Sequence, residues 1–393
     1  MKDTVDKSAG YYDPDTCDLG EFTALIEQTM RSEQAPHAVA IEKNIPIYDM
    51  ANLRTGFEND RTRREIMAEW AQVLRTGAGV LALKGAYPDT GVLDAATAIY
   101  EGIIAQEKQC TVGGGDHFAA SGANDRIWNS LQKLCEASPE VYLDYFANTA
   151  IAAVCEAWLG PNYQMTAQVN LVHPGGAAQQ AHRDYHLGFQ TAEVSAFYPA
   201  HVHDVSPILT LQGAVAHCDM SLESGPTKLL PFSQTYRPGY AAWRRDDFRA
   251  LFEERHVQLP LAKGDAVFFN PALFHAAGAN SSRDIHRFVN LLQVSSAFGR
   301  AMETIDRDMM CKLLFPHAAR ARHENRLSTA ELSAAIAATA EGYSFPTNLD
   351  RDPPKNGLAP ETQAALFGRA LSEDMEEHVF IDRLDQMSNA RDA

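Results

Sequence analysis

The sequence predicts a mainly β core flanked by helical chain on both sides. Three observations carry that prediction. Between residues 163 and 297, short apolar runs of strand length alternate with turn signals. On either side, apolar residues recur at helical spacing. The 393 residues are 45% hydrophobic and 22% charged, which supplies a sizeable core and excludes a disordered or collagen-like chain.

Residues 1–20 are polar and rich in Gly and Asp, and read as a loosely ordered start. Residues 21–162 read as a helical region packing on the core. Arg61 to Leu74 carries Ile66, Met67, Trp70, Val73 and Leu74 on one stripe that stops at Gly77. Gly79 to Lys84 is a short apolar run bounded by Gly, hence a buried strand. A second helix is expected from Leu93 to Gln106, and a third from Pro139 to Leu159, closed by Gly160-Pro161. Gly113-Gly114-Gly115 lies between them, but no GK[ST] follows, so a surface loop is the better reading than a phosphate cradle.

Residues 163–297 form the expected β core, with strands at Met165–Val172, Ile208–Ala216, Ala266–Phe269 and Arg287–Val294. Such short strands suggest a sandwich or barrel. Residues 298–393 return to helix, at Thr329 to Ala340 and Glu361 to Leu371. Nothing repeats internally, and 21–393 reads as one compact unit.

Composition narrows function. With 34 Lys plus Arg against 51 Asp plus Glu the formal charge is −17, which repels nucleic-acid phosphates and anionic lipids. No segment approaches the ~20 apolar residues of a membrane helix, and the start lacks a secretory signal. Six scattered cysteines without a CxxC pair fit reduced, mostly buried thiols. The expectation is a cytoplasmic protein acting on a small molecule, without nucleic acid or membrane; the sequence sets no oligomeric state.

Chemistry gathers in the β core. In Ala181-His182-Arg183-Asp184-Tyr185-His186, residues 182, 184 and 186 share one face of an extended segment, because side chains repeat every two residues. An imidazole beside a carboxylate offers two neighbouring metal ligands. A third, His275, stands just beyond the apolar strand at 266–269. Two His and one carboxylate on one face of an octahedral ion leave the other face open, the arrangement of non-haem iron(II) oxygenases. Twelve residues further on, Arg287 offers a guanidinium that can receive a carboxylate bidentately. A second His-x-Asp, His217-Cys218-Asp219, has the same spacing, and Arg283 is a competing anion anchor.

Together these residues resemble the phytanoyl-CoA dioxygenase-like branch of the iron(II)/2-oxoglutarate-dependent oxygenases. The resemblance rests on His182/Asp184, on Gly225-Pro226 leading to Leu229-Leu230-Pro231-Phe232-Ser233, on Gly264-Asp265, His275, the Asn280-Ser281-Ser282 turn and Arg287. It covers roughly 165–295. It implies a double-stranded β-helix (a jelly-roll, cupin-like fold) with Fe(II) held by His182, Asp184 and His275. It further implies 2-oxoglutarate as co-substrate with its distal carboxylate on Arg287, and oxidation of a C–H bond by O2 with release of succinate and CO2. The family layout favours the first His-x-Asp pair, because the second falls where a strand ends in a loop. Asn170 and Thr227 are candidates for further co-substrate contacts; His186, Arg126 and Trp128 for substrate contacts. Ala277 and Val289 stand where relatives often carry a second hydroxyl contact. Asp184 itself argues against halogenation, since halogenating relatives have a small residue there. The competing readings are a zinc-binding, hydrolase-like site and a non-catalytic ligand-binding barrel.

Overall fold

The computed structural model describes residues 10–109, 123–184 and 190–392. The described residues form ten strands: β1 (Ala40–Glu42), β2 (Ile45–Asp49), β3 (Val80–Lys84), β4 (Asn124–Ile127), β5 (Gln164–Val172), β6 (Thr210–Ala216), β7 (Lys228–Leu229), β8 (Ala266–Phe269), β9 (His275–Ala276) and β10 (Arg287–Ser295). Eight make one mixed sheet in the order β1-β2-β3-β8-β6-β10-β5-β4; β7 and β9 pair separately. β2 and β3 run parallel, whereas β3 and β6 both pair antiparallel with β8.

Helix outweighs strand. Of the described residues 47% are helical, so the architecture is a mixed eight-stranded sheet accompanied by many helices. Most of that helix lies in the flanking regions expected to be helical, and the expected β core adds more. The connections after residue 190 are not bare turns but carry helices at Ala192–Ser195, Ala200–Val205, Gly239–Ala242 and Asp246–Arg255. The last of these has Phe248 and Phe252 four residues apart on its buried face and Asp246 and Asp247 in its first turn, where the helix dipole favours negative charge.

The chain divides into two compact units. The first takes the described residues of Met1–Pro88, Gly115–Arg126 and Asn170–Leu292; the second those of Asp89–Gly114, Ile127–Val169 and Gln293–Ala393. In the first, the helix Asp60–Arg75 starts at Asn59, whose side chain accepts from the Arg61 and Thr62 N–H groups, and buries Ile66, Trp70, Val73 and Leu74. Val80, Ala82, Ala214, Ala216, Val267, Phe269 and Val289 of the large sheet share one apolar cluster with Leu229 of the small one. A second cluster joins Phe22, Leu230, Tyr236, Phe248, Phe252 and Phe274.

The second unit is built mainly of helices. The stretch 139–159, expected as one helix, is two: Pro139–Phe146 and Thr149–Leu159. Ala147 leaves helical geometry (ψ 37°), and the Asn148 side chain restarts the helix by accepting from the Ala150 and Ile151 N–H groups. Arg307–His323 and Glu377–Arg391 join the expected C-terminal helices. Phe315 stacks on Phe380 at 4.1 Å, with Phe367 edge-on to both. Among the described residues no helix is long and apolar enough to cross a membrane, and the described cysteines are free thiols.

Candidate metal centre

The segment ending at Asp184 is held by backbone pairing. His182 and His275 form an antiparallel bridge with N–H···O distances of 3.0 and 3.1 Å, and the Asp184 N–H donates to Pro271 O at 3.0 Å. β9 pairs on its other side with β7, Leu229 opposite His275. Residue pairs across a ladder share a face, so His182, His275 and Leu229 point to the same side. That side is the apolar cluster, where Phe269 lies 4.7 Å from the His275 ring.

The three candidate ligands meet there. One ligand atom from each of His182, Asp184 and His275 lies within 4.8 Å of the others, and among the described residues no other such group exists. His182 Nε2 is 3.6 Å from Asp184 Oδ1, and His275 Nε2 is 3.9 Å from Asp184 Oδ2. Each imidazole spends its other nitrogen on a backbone carbonyl: His182 Nδ1 on Gln180 O and His275 Nδ1 on Leu273 O, both at 2.8 Å. A carbonyl only accepts, so Nδ1 carries the proton and Nε2 presents its lone pair. This is the tautomer a metal-binding histidine needs. Burial, helped by His182, holds His275 well below the ordinary imidazole range and so keeps it neutral. Burial also raises the Asp184 carboxyl, while His182 pulls it back. A divalent cation would relieve that cost, because it favours the ionised carboxylate.

Arg183, between two of these residues, has a different role. Alternation turns it to the opposite face, where it is fully buried. Its Nη2 donates to Ser233 O and to Tyr236 O (2.8 Å), and the guanidinium lies over the Tyr240 and Phe274 rings. A Cβ on Gly239 would meet its Cζ at 2.0 Å, so only glycine fits beneath it. The Tyr240 hydroxyl donates to Asp184 O at 2.9 Å. The only sequence signal for this anchor was its place midway in the alternating triplet.

Arg287 opens β10 and is 5% exposed. Its Nη1 donates to Ser224 O (2.9 Å) and Gly278 O (3.1 Å). Between those carbonyls, Gly225 has φ +73°, and a Cβ there would meet Ala279 O at 2.2 Å. Burial lowers the Arg287 pKa to about 10, and among the described residues no carboxylate pairs with it. Asn170 is buried on β5, and among the described residues its Oδ1 has no hydrogen-bond partner. Thr227 precedes β7; alternation puts it on the face of Leu229 and His275. Arg126 is buried on β4 of the first unit, whereas Trp128 is half-buried in the second. His186 lies outside the described residues.

Among the described residues the second His-x-Asp joins no metal group. The His217 ring stacks on Phe288 at 5.4 Å, and Asp219 Oδ1 accepts from the Lys263 N–H at 2.8 Å. Arg283 is exposed in its turn.

The family model described as phytanoyl-CoA dioxygenase (PhyH) matches residues 76–288, more than half of the chain. The chain belongs to the phytanoyl-CoA dioxygenase family. All three candidate ligands and Arg287 fall within the matched span. Among curated relatives, Dioxygenase andF of Emericella variicolor is 27% identical over 139 residues, 34% of this chain and 43% of that protein. Dioxygenase trt7 of Aspergillus terreus (strain NIH 2624 / FGSC A1156) is 25% identical over 139 residues, 35% and 43% respectively. The matched stretch thus spans under half the length of these curated relatives. Solved structures similar to this chain include the carbocyclase SnoK from nogalamycin biosynthesis, at 19% identity and TM-score 0.43, covering 66% of this chain and 90% of that one. HygX from Streptomyces hygroscopicus, solved with nickel and 2-oxoglutarate, matches at 12% identity and TM-score 0.40, covering 61% and 90%.

Proposed function

We propose that this chain is an Fe(II)/2-oxoglutarate-dependent dioxygenase that oxidises a C–H bond of a small molecule, with release of succinate and CO2. The observation that carries the reading is the triad, with three ligand atoms converging and both imidazoles aimed Nε2-first. Two imidazoles and one carboxylate on one side suit a non-haem iron(II). When bound, the iron and 2-oxoglutarate supply the oxidising chemistry.

The protein's own residues do the rest. His182, Asp184 and His275 hold the ion, and the Nδ1–H donors fix both rings. Arg287 holds the distal carboxylate of 2-oxoglutarate; among the described residues its buried guanidinium donates to the Ser224 and Gly278 carbonyls and pairs with no carboxylate. Asn170 and Thr227 offer an amide and a hydroxyl to the co-substrate, and Arg126 is proposed to face the substrate. The apolar cluster around Phe269 and Leu229 keeps water from the pocket. Because side chains from both sheets fill one interior, the core is read as a double-stranded β-helix.

The test is anaerobic. Fe(II) and 2-oxoglutarate added to metal-free protein should give the weak visible charge-transfer band of the chelate, and His182→Ala and Arg287→Ala should abolish or weaken it. Folded protein that gives no band would return the site to zinc or to ligand binding without redox chemistry.

A further inference from the structure

Outside the metal centre, the first unit contains a chain of three titratable side chains that the proposed reaction does not use. Asp125 on β4 is buried, and its Oδ2 lies 2.8 Å from His173 Nε2. His173, just past the end of β5, places its Nδ1 2.8 Å from the Nδ1 of His286. His286 is exposed and immediately precedes Arg287. The chain therefore runs from a buried carboxylate to solvent, joining the ends of three strands beside the proposed co-substrate anchor.

The geometry distinguishes a shared proton from a metal. The two ring centroids are 5.1 Å apart, the span of two imidazole radii laid end to end across a 2.8 Å contact. The nitrogens thus point at each other along the line of ring centres. An ion on that line would sit half of 2.8 Å from each nitrogen, well short of the ~2.0–2.1 Å of a metal–imidazole bond. One proton fits there.

We propose that His173 and His286, oriented by Asp125, are positioning residues for Arg287 and that they tune 2-oxoglutarate affinity with pH. The inference rests on Arg287 being the co-substrate's anchor. Proton counting gives the pH behaviour. With Asp125 ionised, His173 Nε2 donates to it, and a single proton lies between the two Nδ1 atoms. With both rings neutral that proton belongs to His286. One added proton makes His173 an imidazolium donating to Asp125 and to His286, and every contact survives. A second added proton sets two N–H groups and two like charges face to face, and the link breaks. Other charged or titratable groups close by are Arg287 itself, Arg283 and Asp284 in the preceding turn, and Cys218, whose Sγ lies 3.7 Å from His286 O. None of them supplies a carboxylate at this contact.

The experiment is calorimetric binding of 2-oxoglutarate to Mn(II)-loaded full chain from pH 5.5 to 8, with thermal melting as the folding control. Wild type should bind more weakly in acid. His286→Ala should bind about tenfold more weakly at pH 8 and keep its melting temperature. His286→Asn, whose amide can replace the Nδ1 contact but does not titrate, should restore wild-type affinity at pH 8 and lose the acid dependence. Wild type that takes up Mn(II) but not 2-oxoglutarate would overturn the co-substrate reading. Wild type that binds, with both variants following its affinity and pH profile, would overturn this inference alone.

Discussion

His182-Arg183-Asp184 and His217-Cys218-Asp219 present the same two side chains at the same spacing within one unit, yet they do different work. At the first, alternation sends the imidazole and carboxylate toward His275, while Arg183 sinks into the opposite face and fastens the segment. At the second, each member is engaged by the scaffold. His217 lies flat on Phe288, Cys218 accepts from the Phe288 N–H at 3.3 Å, and Asp219 ties down the turn at Lys263. On the proposed reading, a His-x-Asp becomes a ligand pair where a third candidate ligand crosses it and where the middle residue is anchored behind it. The spacing alone decides nothing.

The largest effect should therefore separate the two tripeptides. Asp184→Ala or His275→Ala should cut Mn(II) affinity by more than ~100-fold, beyond the 10–100-fold typical of residues that only support a ligand. Asp219→Ala should leave that affinity unchanged. Calorimetry on the three variants checks this, and equal losses at Asp184 and Asp219 would break the comparison. Next comes Arg287→Ala. Removing one partner of a buried charged pair costs about 2–5 kcal/mol, so 2-oxoglutarate should bind at least ~30-fold more weakly to the Mn(II) protein. Arg287→Lys should recover part of this, since an ammonium keeps the charge but not the fork.

Much of this division could be read from the chain. The strands at 164–172, 266–269 and 287–295 are short apolar runs with turn residues at their ends, and two-residue periodicity put His182 beside Asp184. His275 and Arg287 followed from their places after and within such strands. What stayed hidden was set by packing. The break at Ala147 depends on Asn148 capping a new helix, and an asparagine within an apolar helical stretch does not announce that. The anchoring role of Arg183 has no local signature, because its backbone carbonyl partners, Ser233 and Tyr236, lie fifty or more residues away. The Asp125–His173–His286 chain joins residues with no local pattern at all.

Anchoring behind the ligand pair can be tested without touching a ligand. Gly239→Ala drives a methyl into the Arg183 guanidinium, and overpacking of this kind costs about 1–3 kcal/mol. Chemical denaturation should register that loss, and Mn(II) affinity should fall with it as the segment shifts. Asp219→Ala should cost about 1 kcal/mol, the scale of one hydrogen bond, with no change in metal affinity. A Gly239→Ala protein that loses stability but binds Mn(II) normally would show that Arg183 serves only the fold.

The smallest expected effect concerns the support behind Asp184. His203 is buried between Tyr12 and Tyr240, at ring distances of 5.7 and 5.8 Å, and Tyr240 holds the Asp184 carbonyl. Burial lowers the His203 pKa against the opposing pull of the Tyr198 and Ser195 backbone and of Asp204. The folded imidazole therefore stays neutral at pH values where the unfolded one, near ~6.5, is already protonated. In that window the unfolded chain binds more protons, so stability rises with pH. The contribution is complete above the unfolded value and is lost as pH falls through the window. Urea midpoints at pH 7.5 and 5.5 measure the loss, and His203→Asn should show a smaller drop than wild type because its side chain does not titrate. Metal affinity should follow the same order, since loosening His203 frees the Tyr240 ring that steadies Asp184. The Asp219 bond to Lys263 stands apart from this support and should be indifferent to the substitution. If the two proteins lose stability equally between pH 7.5 and 5.5, the acid sensitivity of this unit resides elsewhere, and the support under Asp184 is a matter of shape alone.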